Sequence, residues 1–323
     1  MILSEASEKI QQRKIQSERR KCNIKEQLVL QSLVIPGLIF LAVFSYIPLM
    51  GIVIAFQDYD LFLGVRGSTW VGFKQFIDFF GSNNFLKIMR NTLSISFLKL
   101  IFGFPMPIIL AILFNEIGKI KIKKAFQTIT YLPYFIAWVV VSGMIISLLA
   151  VNNGTVNNFL ISLGLINEPV NFLSKPEYFW PILVISNIWK GSGYGAIIYM
   201  AAIAGINPEL YEAASIDGAT RFRSIFVVTL PCIIPQVAIL LILNISNILN
   251  TGMEDILLLT NNGDNAILNG VSEVIDTFVY RYGVKLQRYS YATAVGLFKT
   301  VVNVAMLFSA NSIIRKLTDT SIW

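Results

Sequence analysis

The chain has 323 residues, 55% of them hydrophobic and only 14% charged, with a net charge of +7 and a mean hydropathy of +0.65. Soluble domains carry roughly 25% charged residues, so this composition excludes a disordered chain and argues against an ordinary soluble domain. Histidine is absent and the two cysteines, Cys22 and Cys232, form no CxxC pair, which excludes histidine metal sites, His-based triads and a disulfide framework.

A helix needs about 20 mainly apolar residues to cross the hydrocarbon of a bilayer. Residues 1–27 are polar and of mixed charge, and are expected to form a cytoplasmic N-terminal segment. Six apolar runs follow, at about 28–56, 91–114, 128–150, 179–204, 233–250 and 290–314. The first is uncharged between Gln27 and Gln57, too long for the core of a signal peptide, and its Pro36, Gly37, Pro48 and Gly51 predict bends or interfacial ends. The expected fold class is therefore an all-α polytopic membrane protein with six transmembrane helices spread over 28–316, followed by a tail at 317–323. Two long loops, 57–90 and 251–289, hold aromatic and apolar patches such as the one at 76–80. They read either as docking or capping elements or as interfacial helices.

The basic residues orient the map. With a cytoplasmic N-terminus, 15 Lys and Arg residues fall inside and 8 outside, so both termini are expected in the cytoplasm. The run Lys119, Lys121, Lys123, Lys124 is the clearest marker and reads as a topology anchor rather than a nucleic-acid site. Lys99, Lys190 and Lys299 lie inside apolar runs, whereas all 19 acidic residues fall in loops and tails of this map. With neither an acid nor a histidine in a run, the usual coupling chemistry of a proton- or sodium-driven carrier is missing. No GxxxxGK[ST] phosphate loop occurs, so ATP hydrolysis by that route belongs to another chain. A membrane enzyme would want clustered acids; Glu254-Asp255 has no motif around it.

The loop at 205–232 is strongly punctuated. Asn207 suits a helix N-cap, Pro208 a first helical position and Glu209 the first turn. Leu210, Ala213 and Ala214 share one side, and Asp217-Gly218 supplies a stop. A second helix is expected from about Thr220 to Val228, interrupted near Pro231. The result is a helix–turn–helix knob in which small Ala213 and Ala214 admit another surface and Glu212 offers a charge to a basic partner group.

This loop resembles the cytoplasmic signature of binding-protein-dependent ABC importer permeases: EAA, three residues, Gly, nine residues, Ile, one residue, Leu-Pro. Here stand Glu212-Ala213-Ala214, Gly218, Val228 and Leu230-Pro231, with Val for Ile the single departure. The flanking Asn207-Pro208-Glu209-Leu210-Tyr211 and Ser215-Ile216-Asp217 are similar to the maltose-type carbohydrate branch. Ile54-Ala55-Phe56-Gln57-Asp58-Tyr59, Trp70-Val71-Gly72-Phe73, Tyr131-Leu132-Pro133, Trp189-Lys190-Gly191 and Asp276-Thr277-Phe278 resemble its polysaccharide and oligosaccharide sub-branch. The likeness covers roughly 28–316. It implies the type I importer permease fold in a bacterial cell membrane, a second similar permease, two ATPase subunits carrying ATP and Mg, and an extracellular sugar-binding protein. No cofactor on this chain and no nucleic acid are implied. It also implies that Glu212, Ala213, Ala214, Asp217, Gly218, Leu230 and Pro231 couple this chain to the ATPase. A non-sugar solute, or a self-sufficient secondary carrier, is the alternative.

On a sugar pathway, polar amides would meet hydroxyls and aromatic faces would meet C–H faces. The fourth run holds Asn187, Trp189, Lys190 and Tyr194 beside Gly191, Gly193 and Gly195; this predicts either an unwound kink lining the pathway or a small-residue packing seam. Asn244 and Asn247, three apart on the fifth run, line the pathway or join helices. For Lys190 and Lys299 no acid in a membrane run offers a partner, so water, backbone carbonyls or an anionic sugar is expected to meet them. Glu254 and Asp255 at the outer mouth read as solvated, or as contacts to the binding protein or the sugar.

Overall fold

The computed structural model describes residues 31–318. The 1–27 segment with Cys22, and the tail from residue 319, lie outside them. The described chain is mostly helical. Helix α1 (Gln31–Phe56) is exposed throughout 31–50 and docks on the rest of the chain through its end, where Ala55 is buried. A two-stranded hairpin follows, Gln57–Asp58 against Thr69–Trp70, antiparallel with Gln57 opposite Trp70. Next come α2 (Lys74–Phe80) and α3 (Phe85–Glu116). A bent pair, α4 (Ile120–Phe135) and α5 (Trp138–Leu148), turns through 101°. Pro133 lies at the end of α4 and Ile136 and Ala137 are extended, so the helical ladder stops there.

After α6 (Thr155–Ser162), α7 (Pro176–Ala204) runs for 29 residues, about 43 Å by helical rise. Then come α8 (Pro208–Ile216), α9 (Arg221–Ser246), the short α10 (Glu254–Leu259), α11 (Asn269–Ser272) and α12 (Ile275–Tyr280), and finally α13 (Tyr289–Thr318). Among the described residues, α1, α3, α9 and α13 are long and apolar enough to cross a membrane, and the bent pair makes a fifth if it is one span. Helix α7 has the length, but the polar stretch around Asn187, Lys190 and Ser192 lowers its hydropathy.

Packing sets the frame of the site. Helix α7 lies most extensively along α3, α9 along α13, and the end of α1 along α13. One buried cluster, with Phe79, Leu249, Phe278, Tyr291 and Val295, joins α2, α12 and α13. A second, with Ile95, Phe179, Leu183, Ile256 and Leu268, wedges α10 and the segment after it between α3 and α7. A third, with Ala111, Phe114, Ala196, Tyr199 and Ile233, ties α3, α7 and α9 nearer the 205–220 loop.

Of the two readings of the α7 glycines the packing seam holds at Gly193, and the expected break near Pro231 fails. The glycines of α7 do not unwind it. Gly193 instead lets α4 approach, because a Cβ there would sit 2.0 Å from the Thr130 carbonyl oxygen; tertiary packing outweighs the weak local propensity. Nor does Pro231 interrupt the helix after the 205–220 loop. A wide π-helical turn at Ile225–Thr229 precedes it, and the helix runs on unbroken into the span. That turn absorbs the missing N–H.

Candidate functional site

The loop between α7 and α9 is built from local rules. The Asn207 side chain accepts the Glu209 N–H at 3.1 Å, and its amide donates to the Glu209 carboxylate at 3.0 Å. Gly218 sits at φ +78°, and the Ala219 N–H closes onto the Ala214 carbonyl at 2.9 Å. This is the left-handed stop that glycine alone adopts without strain. Thr220 then caps α9 by accepting the Arg223 N–H at 3.3 Å. Tyr211 reaches Thr229 at 3.0 Å and ties the knob to α9. Leu210, Glu212, Ala213, Asp217 and Gly218 are exposed, and Ile216 is 87% exposed. The expected common face of Leu210, Ala213 and Ala214 divides, however: Ala214 is buried against its own chain. Leu230 packs on the edge of the α3–α7–α9 core. Pro231, in the first turn after the π-helical stretch, is exposed.

The candidate pathway residues fall on three separate surfaces. Asn187 and Asn244 share a cavity of about 340 Å³ with Lys99, Gly103, Phe104 and Tyr199. Asn247 and Lys299 share another of about 390 Å³ with Asp276, Asn250 and Asn303. Asn244 and Asn247 therefore face different spaces; each also donates to the carbonyl four residues earlier, Leu240 at 2.8 Å and Leu243 at 3.0 Å. Trp189 and Tyr194 lie outside both cavities, half-exposed. Tyr194 stacks on Tyr134 at 3.9 Å between centroids, which ties α7 to the end of α4 rather than presenting a free ring. Glu254 is exposed and lines neither cavity.

The three lysines have partners. Lys190 donates to the carbonyls of Pro133, Tyr134 and Ile136, at 3.2 and 2.8 Å for the first two, and so plugs the break in the bent pair. It also lies 5.4 Å from the Trp138 ring. The expectation that Lys299 meets no acid is wrong, and Lys99 has an acidic partner as well. Lys99 donates to Asp255 at 2.9 Å and to the Thr251 carbonyl at 2.6 Å. Asn187 donates to the same Asp255 oxygen at 2.8 Å. Lys299 pairs with Asp276. Asp255 is 3% exposed, so its solvated reading fails too. The cause is the 251–289 segment, which folds back into the helices rather than lying outside them. The legible signal was an acid heading the apolar run Ile256-Leu257-Leu258-Leu259, the pattern of a buried rather than a surface acid.

Along α7 the first cavity runs from Val184 toward Tyr199, that is, toward the 205–220 loop. The Lys99–Asp255–Asn187 cluster stands at its far end. One bundle thus carries a mixed apolar and polar cavity, a charge-paired cluster at one end of it and, at the opposite end, an exposed capped knob. That division suits a membrane component worked from one end by another protein.

The comparisons agree. Residues 92–319 match the model of the binding-protein-dependent transport system inner membrane component family. Protein LplB of Bacillus subtilis is 42% identical over 293 residues, 91% of this chain and 90% of that protein. The polygalacturonan/rhamnogalacturonan transport system permease protein YteP of the same organism is 41% identical over 308 residues, 95% of this chain and 94% of its own length. Among solved structures, a chain of a bacterial alginate ABC transporter, crystallised with an alginate pentasaccharide-bound periplasmic protein, superposes with a TM-score of 0.83 at 41% identity, covering 93% of this chain and 98% of that one. The protein belongs to the binding-protein-dependent transport system inner membrane component family, and is a permease component of an ABC importer.

Proposed function

We propose that this chain is the membrane-spanning permease of a bacterial ABC importer for oligosaccharides or polysaccharide fragments. The observation that carries the reading is the 207–220 knob, capped at both ends and presenting Glu212 and Ile216 to a partner. The relatives' named substrates support the sugar class. In this reading α7 is the sixth span beside α1, α3, the bent pair, α9 and α13, and both termini are cytoplasmic. A second permease completes the pathway, two ATPase subunits carry ATP and Mg, and an extracellular binding protein delivers the sugar to the far end.

The mechanism follows from differential binding to two states. The ATPase pair grips the knob through Glu212, Ala213 and the turn at Asp217-Gly218, with Leu230 and Pro231 as the base that transmits its movement into α9. Closure of that pair rocks the bundles apart at the outer end, and the sugar enters the space walled by Asn187 and Asn244. Their amides hydrogen-bond hydroxyls, and Phe104 and Ile188 pack against C–H faces. An anionic sugar held by Lys190 loses its basis, because three carbonyls already satisfy that side chain. Lys299 would have to exchange Asp276 for the sugar's carboxylate.

The test is co-purification. A C-terminal tag on the chain in its native membrane is expected to bring down a second permease and an ATPase. Gly218→Pro, which cannot adopt the positive φ, is expected to lose the ATPase and keep the permease. A chain that purifies alone, before and after cross-linking, would overturn the reading.

A further inference from the structure

Between α3 and the first turns of α9 runs an open groove of about 580 Å³, within the roughly 300–1,000 Å³ range of small-ligand sites. Its walls are two helical stripes. Pro105, Ile108, Ile109, Ile112 and Leu113 come from α3, and Phe222, Ile225, Phe226 and Leu230 from α9. Leu113 and Phe226 are more than half exposed and Phe222 is 72% exposed. Polar groups stand at one end alone: Arg221 at the start of α9 and Glu116 at the end of α3. Arg221 makes no ion pair or side-chain hydrogen bond among the described residues, and neither does the neighbouring Arg223. Lys119, Lys121, Lys123 and Lys124 follow directly after α3 and likewise have no carboxylate partner there.

We propose that this groove binds an anionic phospholipid, one acyl chain lying along the apolar walls and the phosphate set against Arg221. Three features of the groove select a lipid. It opens on the outer surface of two membrane-crossing helices and is continuous with their exposed apolar residues, Ile101 and Phe102 on α3 and Val227 and Ile234 on α9. Its polar end, with Arg221 beside Glu116, lies at the limit of the span, where a headgroup would sit, and the excess of positive charge there comes from Arg223 and the polybasic segment after α3, of the kind that attracts anionic lipids. The positive end of the α9 dipole adds to the field that the phosphate meets. In the proposed orientation the headgroup lies in the inner leaflet; the ligand chemistry does not depend on that orientation. The site adjoins the knob, since Arg221 follows Gly218 by three residues, so an occupied groove would brace the base of the coupling loop.

Two measurements on the assembled importer test this. First, p-benzoylphenylalanine is placed at Leu113 in native membranes and irradiated. A phospholipid adduct on the intact mass is expected. A cross-link to another protein subunit, or no lipid adduct, would overturn the proposal. Second, the complex is reconstituted in nanodiscs of phosphatidylcholine doped with phosphatidylglycerol, and co-purifying lipid is counted by native mass spectrometry. Phosphatidylglycerol is expected to be enriched on the wild type. Arg221→Gln is expected to lower that enrichment about fivefold, the effect of one basic group near an anionic lipid, and Arg221→Lys to restore part of it. Leu113→Trp, which fills the groove and leaves the charge, is expected to abolish retention of either lipid. Unchanged enrichment in Arg221→Gln, or unchanged retention in Leu113→Trp, would sink the assignment.

Discussion

The two ends of the bundle treat charge in opposite ways. At the end formed by 251–289, the acids Asp255, Asp264, Glu273 and Asp276 each hold a basic partner: Lys99, Lys285, Lys87 with Arg281, and Lys299. At the end carrying the 205–220 loop, no ion pair joins Glu209, Glu212, Asp217, Arg221, Arg223 or the Lys119–Lys124 run among the described residues. The first end pairs most of its acids and buries two of them, Asp255 and Glu273. The second leaves both signs exposed on a rigid frame. Unpaired charge on a well-capped scaffold is what a surface awaiting other molecules requires, whereas buried pairing serves a closure that must hold without them.

The comparison breaks most visibly at Asp255. Asp255→Ala strips the part-buried Lys99 ammonium of its counter-ion and leaves an Asn187 N–H without its acceptor, a loss of about 3 kcal/mol. Poor yield and a sharply lowered thermal midpoint in detergent are expected. Joint replacement of the pair, Lys99→Met with Asp255→Leu, is expected to recover most of that stability, since removing a buried pair together costs far less than breaking it. If the single variant is as stable as the parent, the cluster at this end is not held by charge. Gly193→Ala ranks next. Its methyl would meet the Thr130 backbone, and overpacking of that kind costs about 3 kcal/mol. Gly191→Ala, two residues away with open space above it, is the matched control and is expected to be silent.

Legibility followed distance along the chain. The start of α8 at Asn207-Pro208 and its stop at Gly218 could be read from the sequence, because caps and left-handed stops are contacts between near neighbours. Most of the apolar runs carried their own length signal, and the 128–150 run hid a bend because one proline between two apolar halves does not announce an angle. The Lys99–Asp255 pair joins residues 156 positions apart, and no periodicity points from one to the other. Reading the 251–289 segment as a loop apart from the apolar runs separated Asp255 and Asp276 from the lysines, and from that single placement followed the errors on Lys299 and Asp255. The glycines of α7 left kink and packing seam open for a related reason: their local weakness was plain, while the neighbour that requires Gly193, Thr130, belongs to another helix.

The smallest stability effect belongs to the open end, and there it separates folding from function. Glu212 is exposed and makes no ion pair among the described residues, and Ile216 stands exposed beside it on α8. Surface changes of this kind usually fall within about 0.5 kcal/mol. Glu212→Ala and Ile216→Ser are therefore expected to leave the thermal midpoint of the isolated chain unchanged. In the assembled importer the same side chains would be partly desolvated against the ATPase, where loss of a hydrogen-bonded charge costs about 2–5 kcal/mol. Sugar uptake should fall by more than tenfold, and the ATPase should be lost on mild washing. A variant that kept uptake while losing stability would mean that the knob is a structural turn, and the contrast between the two ends would then reflect packing alone.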